Sequence, residues 1–472
     1  MNSHRSRNEA PARAFANRLM DAGMSRAAAE AKSDLFGRAV DAVPGHPAAN
    51  AEPYMLFVPG RIEVLGKHTD YAGGRSLVTA VERGFCMAAI PRNDSHVSVI
   101  DVHQGRKADF ELHPELAGAP GEWSAYPMTV ARRIARNFPG PLRGADMAFL
   151  SDLPPASGMS SSSALMIATF KVLDHANALL ERPEARAEIH SPEDLAGYLA
   201  TIENGRSFGS LTGDRGVGTF GGSEDHTAIC CCRAGRLHLY SFCPTRQERV
   251  LPMPPAFRFA VAYCGVLAEK TGGAMDEYNR ASQLVAALVE LWQAETGGRG
   301  LSPSRPSLAD IIRSAPDAAD RLRDVAAGRP HAGFDSAALL GRLEHFLGES
   351  ERIIPAAADA LTAGQIGPFG RLVDESQSGA EHLLKNQVPQ TVHLARSARE
   401  CGAAAASAFG AGFGGSVWAL VEEPAAEAFL AEWACHYRKA FPSEAEHAVF
   451  FSSGAGPCLT ESAATAASAS DS

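Results

Sequence analysis

Between Pro59 and Gly74 the chain reads P-G-R-I-E-V-L-G-K-H-T-D-Y-A-G-G. An Arg, a Lys, a His and an Asp fall within ten residues, between glycine turns. Short apolar runs flank them, Tyr54–Val58 before and Leu77–Val81 after. That pattern predicts a charged turn between two strands, lying near a buried floor. Titratable groups packed so densely suit a polar ligand better than a solvated hairpin tip.

Composition limits what that ligand is. The 472 residues are 45% hydrophobic and 21% charged, enough for two or more domains with sizeable cores. A formal net charge of -10 lacks the basic excess that nucleic-acid binding uses. No apolar run reaches the roughly 18 residues of a membrane span, and the start, M-N-S-H-R-S-R-N-E-A, has no apolar signal core. The nine cysteines are scattered apart from Cys230–Cys232, which fits reduced thiols better than a disulfide framework. The reading is a soluble cytoplasmic protein acting on a small molecule, with neither nucleic acid nor membrane as partner. A monomer and a dimer are equally compatible with it.

Periodicity divides the chain. Residues 11–42 carry apolar positions at helical spacing, including Phe15, Leu19 and Phe36, and predict one or two lead-in helices. Strands are expected at Phe85–Ile90, Val97–Val102 and Ala145–Leu150. Helices are expected at Trp123–Asn137, Ala164–Ala178 and Leu195–Asn204. Ser207–Gly222 is glycine-rich and reads as loop. Thr227–Cys232 and Leu237–Phe242 read as a hairpin around Arg233–Arg236. Pro252–Pro255 is the candidate inter-domain link, because proline ends both flanking elements. Phe257–Tyr263 then opens a strand. Helices follow at Met275–Gln293, 307–325, 336–363, 368–384 and Thr391–Cys401, with an exposed loop at Thr296–Pro306. Ala403–Gly415 is a small-residue run feeding the strand Ser416–Glu422. The polar stretch 460–472 is expected to be disordered. The domain division expected is 1–52 (helical extension), 53–252 (first domain), 253–459 (second domain) and 460–472 (tail).

Three stretches carry chemistry. In P-P-A-S-G-M-S-S-S-S, from Pro154 to Ser163, Gly158 and small side chains leave backbone N–H groups bare ahead of an apolar helix. The helix N-terminus points its positive end at the loop, which suits a nucleotide's phosphates. Gly60 to His68 mimics a Walker loop but has the wrong spacing, with His68 where Ser or Thr is required. Gly410–Gly415 satisfies G-x-G-x-x-G but precedes a strand and does not open a helix, which excludes a dinucleotide fingerprint. Gly221-Gly222-Ser223-Glu224-Asp225-His226 presents an acidic pair at the mouth of the expected strand. Either Glu224 or Asp225 could accept a proton from a sugar hydroxyl. His226 with Cys230, Cys231 and Cys232 matches no zinc spacing, because adjacent strand residues point to opposite faces.

Together these stretches resemble the galactokinase branch of the GHMP kinases, over about residues 53 to 422. Pro59–Gly74 is similar to the galactokinase signature, Leu153–Leu165 to the family phosphate loop, and Gly410–Gly415 to its third motif. Trp123 with Tyr126, Glu203-Asn204, Tyr278-Asn279 and the segment Leu343–Ser376 also match. The resemblance implies an α+β, two-domain GHMP kinase fold with the active site in the inter-domain cleft. It implies an ATP-dependent, magnesium-dependent kinase that phosphorylates the anomeric hydroxyl of galactose or a close relative. Arg61 and Asp225 would be catalytic. Lys67, His68, Asp70, Gly222 and Tyr278 would bind the sugar. Ser157, Gly158, Met159, Ser160, Ser161, Ser162, Ser163, Gly412 and Gly414 would bind ATP, and Ser162 with Glu203 would hold the metal.

The chain departs from that pattern in places. Lys67 stands where the signature carries Glu, and Glu63 where it carries Asn. A ten-residue insertion, Ser207–Gly216, lies between Glu203 and Asp225 and brings Asp214 as a rival metal ligand. Gln377 replaces a common His, and Ser407 and Phe409 replace Lys and Thr before the third motif. Lys67 suits a negative group or a rearranged hydroxyl pattern, so L-arabinose, a hexosamine or a uronic acid is the alternative substrate. A sensor that binds ATP and sugar without turnover is the alternative of another class; the presence of both Arg61 and Asp225 argues against it.

Overall fold

The computed structural model describes residues 2–44, 52–119, 121–267, 273–297, 306–329 and 331–462. Most of the expected Thr296–Pro306 loop and residues 463–472 of the expected tail lie outside them. The strands are β1 (Tyr54–Leu65), β2 (Arg75–Pro91), β3 (His96–Asp101), β4 (Arg106–Glu111), β5 (Ala145–Ser151), β6 (Arg236–Ser241), β7 (Arg246–Pro252), β8 (Phe257–Tyr263), β9 (Ala405–Phe409), β10 (Ser416–Glu422), β11 (Val449–Ser453) and β12 (Thr460–Glu461). The first sheet has eight strands, running β12-β1-β2-β5-β3-β4, with β6 and β7 attached along the other half of β2. The second has four, β11-β8-β10-β9, all antiparallel.

β1 shows why the first sheet forms. Successive strand residues face opposite sides. Tyr54, Leu56 and Val58 enter the main core, while Met55 and Phe57 meet the lead-in helices. Those helices, Asn2–Asp21 and Arg26–Ala42, cover that outer face with Phe15, Leu19, Phe36 and Val40. Ser25 caps the second by accepting from the Ala28 N–H. The opposite face is closed by the helices Ala125–Asn137 and Ser161–Asn177.

The structure corrects four expectations. β1 runs through to Leu65, so Arg61 and Glu63 lie on a strand and the turn begins at Gly66. Register shifts at Pro59/Arg61 and Glu63/Leu65 let polar residues leave the core face without ending the strand. Thr227–Cys232 is not a strand: Glu224–Cys231 is a helix, so Asp225 sits in a helical first turn and the hairpin is β6–β7. The predicted helix 307–325 is broken into Leu308–Arg313 and Ala318–Gly328, either side of Pro316. Thr460 and Glu461 are ordered, because they pair with Phe57 and Leu56 of β1.

Candidate active site

The turn after β1 is tight and held from several sides. Gly66 has φ +122°, and a Cβ there would lie 2.4 Å from Ser76 Oγ. The Gly66 N–H donates to Glu349 Oε1 at 2.8 Å, and Thr69 Oγ1 donates to the Gly66 carbonyl at 2.8 Å. His68 adopts φ +58°, an uncommon region for a residue with a Cβ. Its ring is fixed at both nitrogens, Nδ1 to Tyr71 Oη at 2.9 Å and Nε2 to the Ala411 carbonyl at 2.9 Å. Asp70 Oδ1 accepts from Tyr71 N–H and Oδ2 from Glu224 N–H. Arg342, fully buried on the helix Ser336–Phe346, donates to the His68 carbonyl.

Arg61 is the hub. Its Nε and Nη2 both reach Asp225 Oδ1, at 2.8 and 2.7 Å, and Nη1 donates to the Gly158 carbonyl. Glu224 Oε1 lies 3.7 Å from Arg61 Nε. Burial works against the guanidinium charge, but Asp225, Glu224 and Glu63 outweigh it and push the Arg61 pKa up. Burial pushes Glu63 up to about 7, tempered by Arg61 and Lys67. Glu224 is pushed well above the usual carboxylate range by burial and then by Glu63.

Two cavities open on either side of this hub. The smaller, about 50 Å³, is walled by His68, Asp70, Gly222 and Tyr278 with Glu63, Glu203 and Glu224. Gly222 is small for a reason: a Cβ there would stand 2.4 Å from Asp70 Oδ2. Tyr278, on the helix Gly273–Thr296, packs its ring 5.2 Å from that of His68. The larger cavity, about 450 Å³, is walled by Gly158, Ser160, Ser161 and Ser162 and by the aromatic residues Phe85, Trp123, Tyr126 and Phe149. Arg61, Asp225 and Ala411 line both cavities.

The serine-rich loop is built for its place. Ala156, Gly158 and Ser160 take positive φ, which turns the chain into the helix Ser161–Asn177. Met159 accepts from Arg61 N–H, and Ser416 Oγ donates to the Ser157 carbonyl at 2.7 Å. Ser157, Met159 and Ser163 are buried behind the cavity wall and shape the loop from within.

Several expected site residues sit elsewhere. Lys67 is fully buried and outside the wall of either cavity. Its Nζ donates to Ser407 Oγ at 2.8 Å and Ser376 Oγ at 3.2 Å, and Ser376 passes on to Glu349. The side chain turns away because Glu349, two hydroxyls and a closed interior balance its charge there. Gly412 and Gly414 also lie off both walls: their φ of +82° and +132°, and close approaches to Asn386 and Val266, make them turn-formers that present Gly410 and Ala411. Asp214 is locked to Arg132 at 2.6 Å, outside both cavities. The insertion is stapled to the helix Ala125–Asn137, where Arg133 Nη2 donates to the Leu211 carbonyl at 3.4 Å and Asn137 Nδ2 to that of Thr212 at 3.0 Å. Sequence reasoning missed Glu63 as a wall of the smaller cavity, and Arg342 and Glu349 as supports of the turn beside it. A charged residue inside the apolar run S-A-A-L-L-G-R-L-E-H-F was the available signal for Arg342.

Three family descriptions match this chain: the galactokinase galactose-binding signature at residues 48–91, the GHMP kinase N-terminal domain at 125–214 and the GHMP kinase C-terminal domain at 357–439. A galactokinase of Roseiflexus sp. (strain RS-1) is 30% identical over 398 residues, covering 82% of this chain and 88% of the relative. One from Chloroflexus aggregans is 30% identical over 388 residues, covering 80% and 86%. The crystal structure of Lactococcus lactis galactokinase complexed with galactose superposes with a TM-score of 0.69 at 21% identity, over 88% of this chain and 96% of that one. Methanococcus jannaschii mevalonate kinase shares the fold more distantly, with a TM-score of 0.52 at 12% identity over 86% and 99%. With its two-domain α+β fold and cleft site, the chain belongs to the galactokinase-like branch of the GHMP kinases, and it is a sugar kinase that uses ATP.

Proposed function

We propose that the enzyme transfers the γ-phosphoryl group of ATP to the anomeric hydroxyl of galactose or a close relative. The observation that carries this reading is that Arg61 and Asp225 line both cavities at once. A group that bridges donor and acceptor sites stands where phosphoryl transfer takes place.

Each residue then has a task. Asp70 accepts from paired sugar hydroxyls, and His68 and Tyr278 frame the ring. Asp225 accepts the proton of the attacking hydroxyl. Arg61 holds Asp225 in place and offers N–H donors to charge developing on the transferred group. The Ser160–Ser162 backbone and the helix N-terminus behind it receive the phosphates. The aromatic wall of Trp123, Tyr126 and Phe149 suits a stacked adenine.

Ser162 and Glu203 offer the all-oxygen donor set that magnesium prefers. Glu203 is already oriented by Ser163 Oγ, which donates to it at 2.8 Å. Ser162 lines the larger cavity and Glu203 the smaller; between them they would hold a magnesium ion, which when bound would neutralise phosphate charge. Asp214, bound to Arg132, does not fit that role.

The sugar-side wall carries Glu63, Asp70, Glu203, Glu224 and Asp225 against one arginine. A wall of that sign disfavours a uronic acid, and Lys67 is too deeply enclosed to offset it. A panel of free sugars with ADP release as the readout tests the assignment. Turnover on galactose is expected; turnover confined to another sugar overturns galactose, and none on any sugar overturns the reading.

A further inference from the structure

Glu63 stands out among the buried groups of the site. It is 3% exposed, lines the sugar-side cavity, and its Oε1 has no hydrogen-bond partner. Its carboxyl lies within hydrogen-bonding reach of that of Glu224, which lines the same cavity. Glu224 is 4% exposed, accepts from Ser76 Oγ through Oε2, and lies 3.7 Å from Arg61 Nε through Oε1. Two carboxylates cannot hydrogen-bond each other without a proton between them, and a buried pair of like charges does not ionise fully.

We propose that Glu63 and Glu224 share one proton, and that this singly charged pair positions Arg61 between Asp225 and the phosphate loop. The inference rests on the sugar-kinase reading only through its activity readout.

The charges facing the pair are few enough to name. Arg61 and Lys67 favour its ionised form, whereas Glu349 and Asp70 oppose it. Asp225 opposes it from the same helix as Glu224, and His68, Glu203 and His226 share the cavity wall. Burial dominates, and it places the transition of Glu63 near neutral pH. Above that transition a second negative charge stands beside Arg61. The guanidinium is then drawn onto the pair and away from the loop carbonyl of Gly158, and negative charge on the transferring group is opposed. Glu63 and Glu224 act through Arg61, so both are positioning residues.

The test is the pH profile of kcat at saturating sugar and ATP. Wild type should lose activity above neutral pH, approaching about tenfold per pH unit, the slope of one titrating proton. Glu63→Gln keeps a neutral hydrogen bond to Glu224 and should flatten that limb, with a larger effect on kcat than on sugar KM. Ser76→Ala removes a donor to the ionised form and should move the limb to higher pH, which covers the case of a poorly folding Glu63 variant. A flat wild-type profile, or a limb unchanged in both variants, overturns the proposal. A second readout needs no turnover. The infrared difference between wild type and Glu63→Gln in the unliganded protein should show a carboxylic-acid carbonyl band at pH 6 that fades as pH rises. Absence of that band also overturns the proposal, whereas a protein with the band and no activity on any sugar overturns only the kinase reading.

Discussion

Arg61 and Asp225 meet on a single oxygen: Nε and Nη2 approach the same Oδ1, at 2.8 and 2.7 Å, while Nη1 donates to the Gly158 carbonyl. One planar group thus ties the proposed proton acceptor to the serine-rich loop. Lysine keeps the charge but has no fork with which to hold both. Arg61→Lys should lower kcat by about 10²–10³-fold, the usual loss for a preorganised donor. Sugar KM, which we assign to His68 and Asp70, should move by less than about threefold. Steady-state kinetics checks this; equal changes in both constants would mean that Arg61 binds only the ground state.

Asp225→Asn tests the other end of that contact. The amide is nearly isosteric but cannot take up a proton. It also leaves Arg61 facing Glu224 and Glu63 without Asp225. A loss in kcat of about 10²–10⁴-fold is expected, the range for a positioned general base. Retention of the wild-type melting curve would show that chemistry was lost and not the fold. A loss below about fivefold would mean that Asp225 serves as electrostatic partner and not as base.

Lys67 is where the sugar-binding expectation and the structure part. Its ammonium is enclosed with Ser376, Ser407 and, through Ser376, Glu349. Lys67→Met should therefore cost stability, about 1–3 kcal/mol from the hydrogen bonds left unmade, with sugar KM within about twofold of wild type. Lys67→Glu places a carboxylate beside Glu349 and should cost about 3–5 kcal/mol, as breaking a buried charge pair does. Denaturant melts and KM measured together decide this. A tenfold rise in KM for Lys67→Met at unchanged stability would return Lys67 to the substrate.

The sequence showed the chemistry of the site better than its geometry. Arg61, His68, Asp70, Gly222, Asp225 and Tyr278 converge on one cavity; all but Tyr278, which came from the family resemblance, lie in charged or glycine-rich stretches. Ser160–Ser162 were readable from small residues preceding an apolar helix. What failed was orientation. Lys67 is assigned to the sugar by the family resemblance alone, and the structure encloses it. Its burial depends on Glu349, 282 positions later, which periodicity cannot register. The helix Glu224–Cys231 was read as a strand because Thr, Ile and Cys favour strands locally. Its packing against β2 overrides that preference, as Ala228 and Cys232 meet Val78 and Ala80. The carboxyl pair Glu63–Glu224 was invisible for the same reason: it joins β1 to a helix 161 residues away.

Gly222 gives a prediction of affinity separated from chemistry. An added Cβ would stand 2.4 Å from Asp70 Oδ2 and 2.8 Å from the Tyr71 nitrogen. Asp70 must then move, and it is the carboxylate assigned to the sugar hydroxyls. Gly222→Ala should raise sugar KM by about tenfold, the loss of one charge-assisted hydrogen bond. ATP KM should stay near wild type, because Gly222 is off the nucleotide cavity. Unchanged sugar KM would place the sugar away from Asp70.

The buried carboxyl of Glu63 also gives stability a pH dependence whose sign follows from linkage. Burial raises its pKa to about 7 in the folded protein, against about 4.3 in an unfolded chain. Between those values the folded state keeps a proton that the unfolded state has released. Stability is therefore full below about pH 4.3, falls as pH rises, and levels off above about 7. His345 works the other way. Burial, and then Arg342, His68 and Lys67 nearby, hold its pKa well below the usual value. Its unfolded form takes up a proton below about pH 6.5, so stability falls as pH drops through that value. The two slopes oppose each other below pH 6.5, and Glu224, also raised by burial and then by Glu63, adds to the slope of Glu63. Glu63→Gln removes only the first slope. The melting temperature of the variant relative to wild type should thus climb from pH 5 to pH 7.5 and then hold level. A difference independent of pH would mean that Glu63 is ionised throughout, and that the cluster around Arg61 carries its full negative charge.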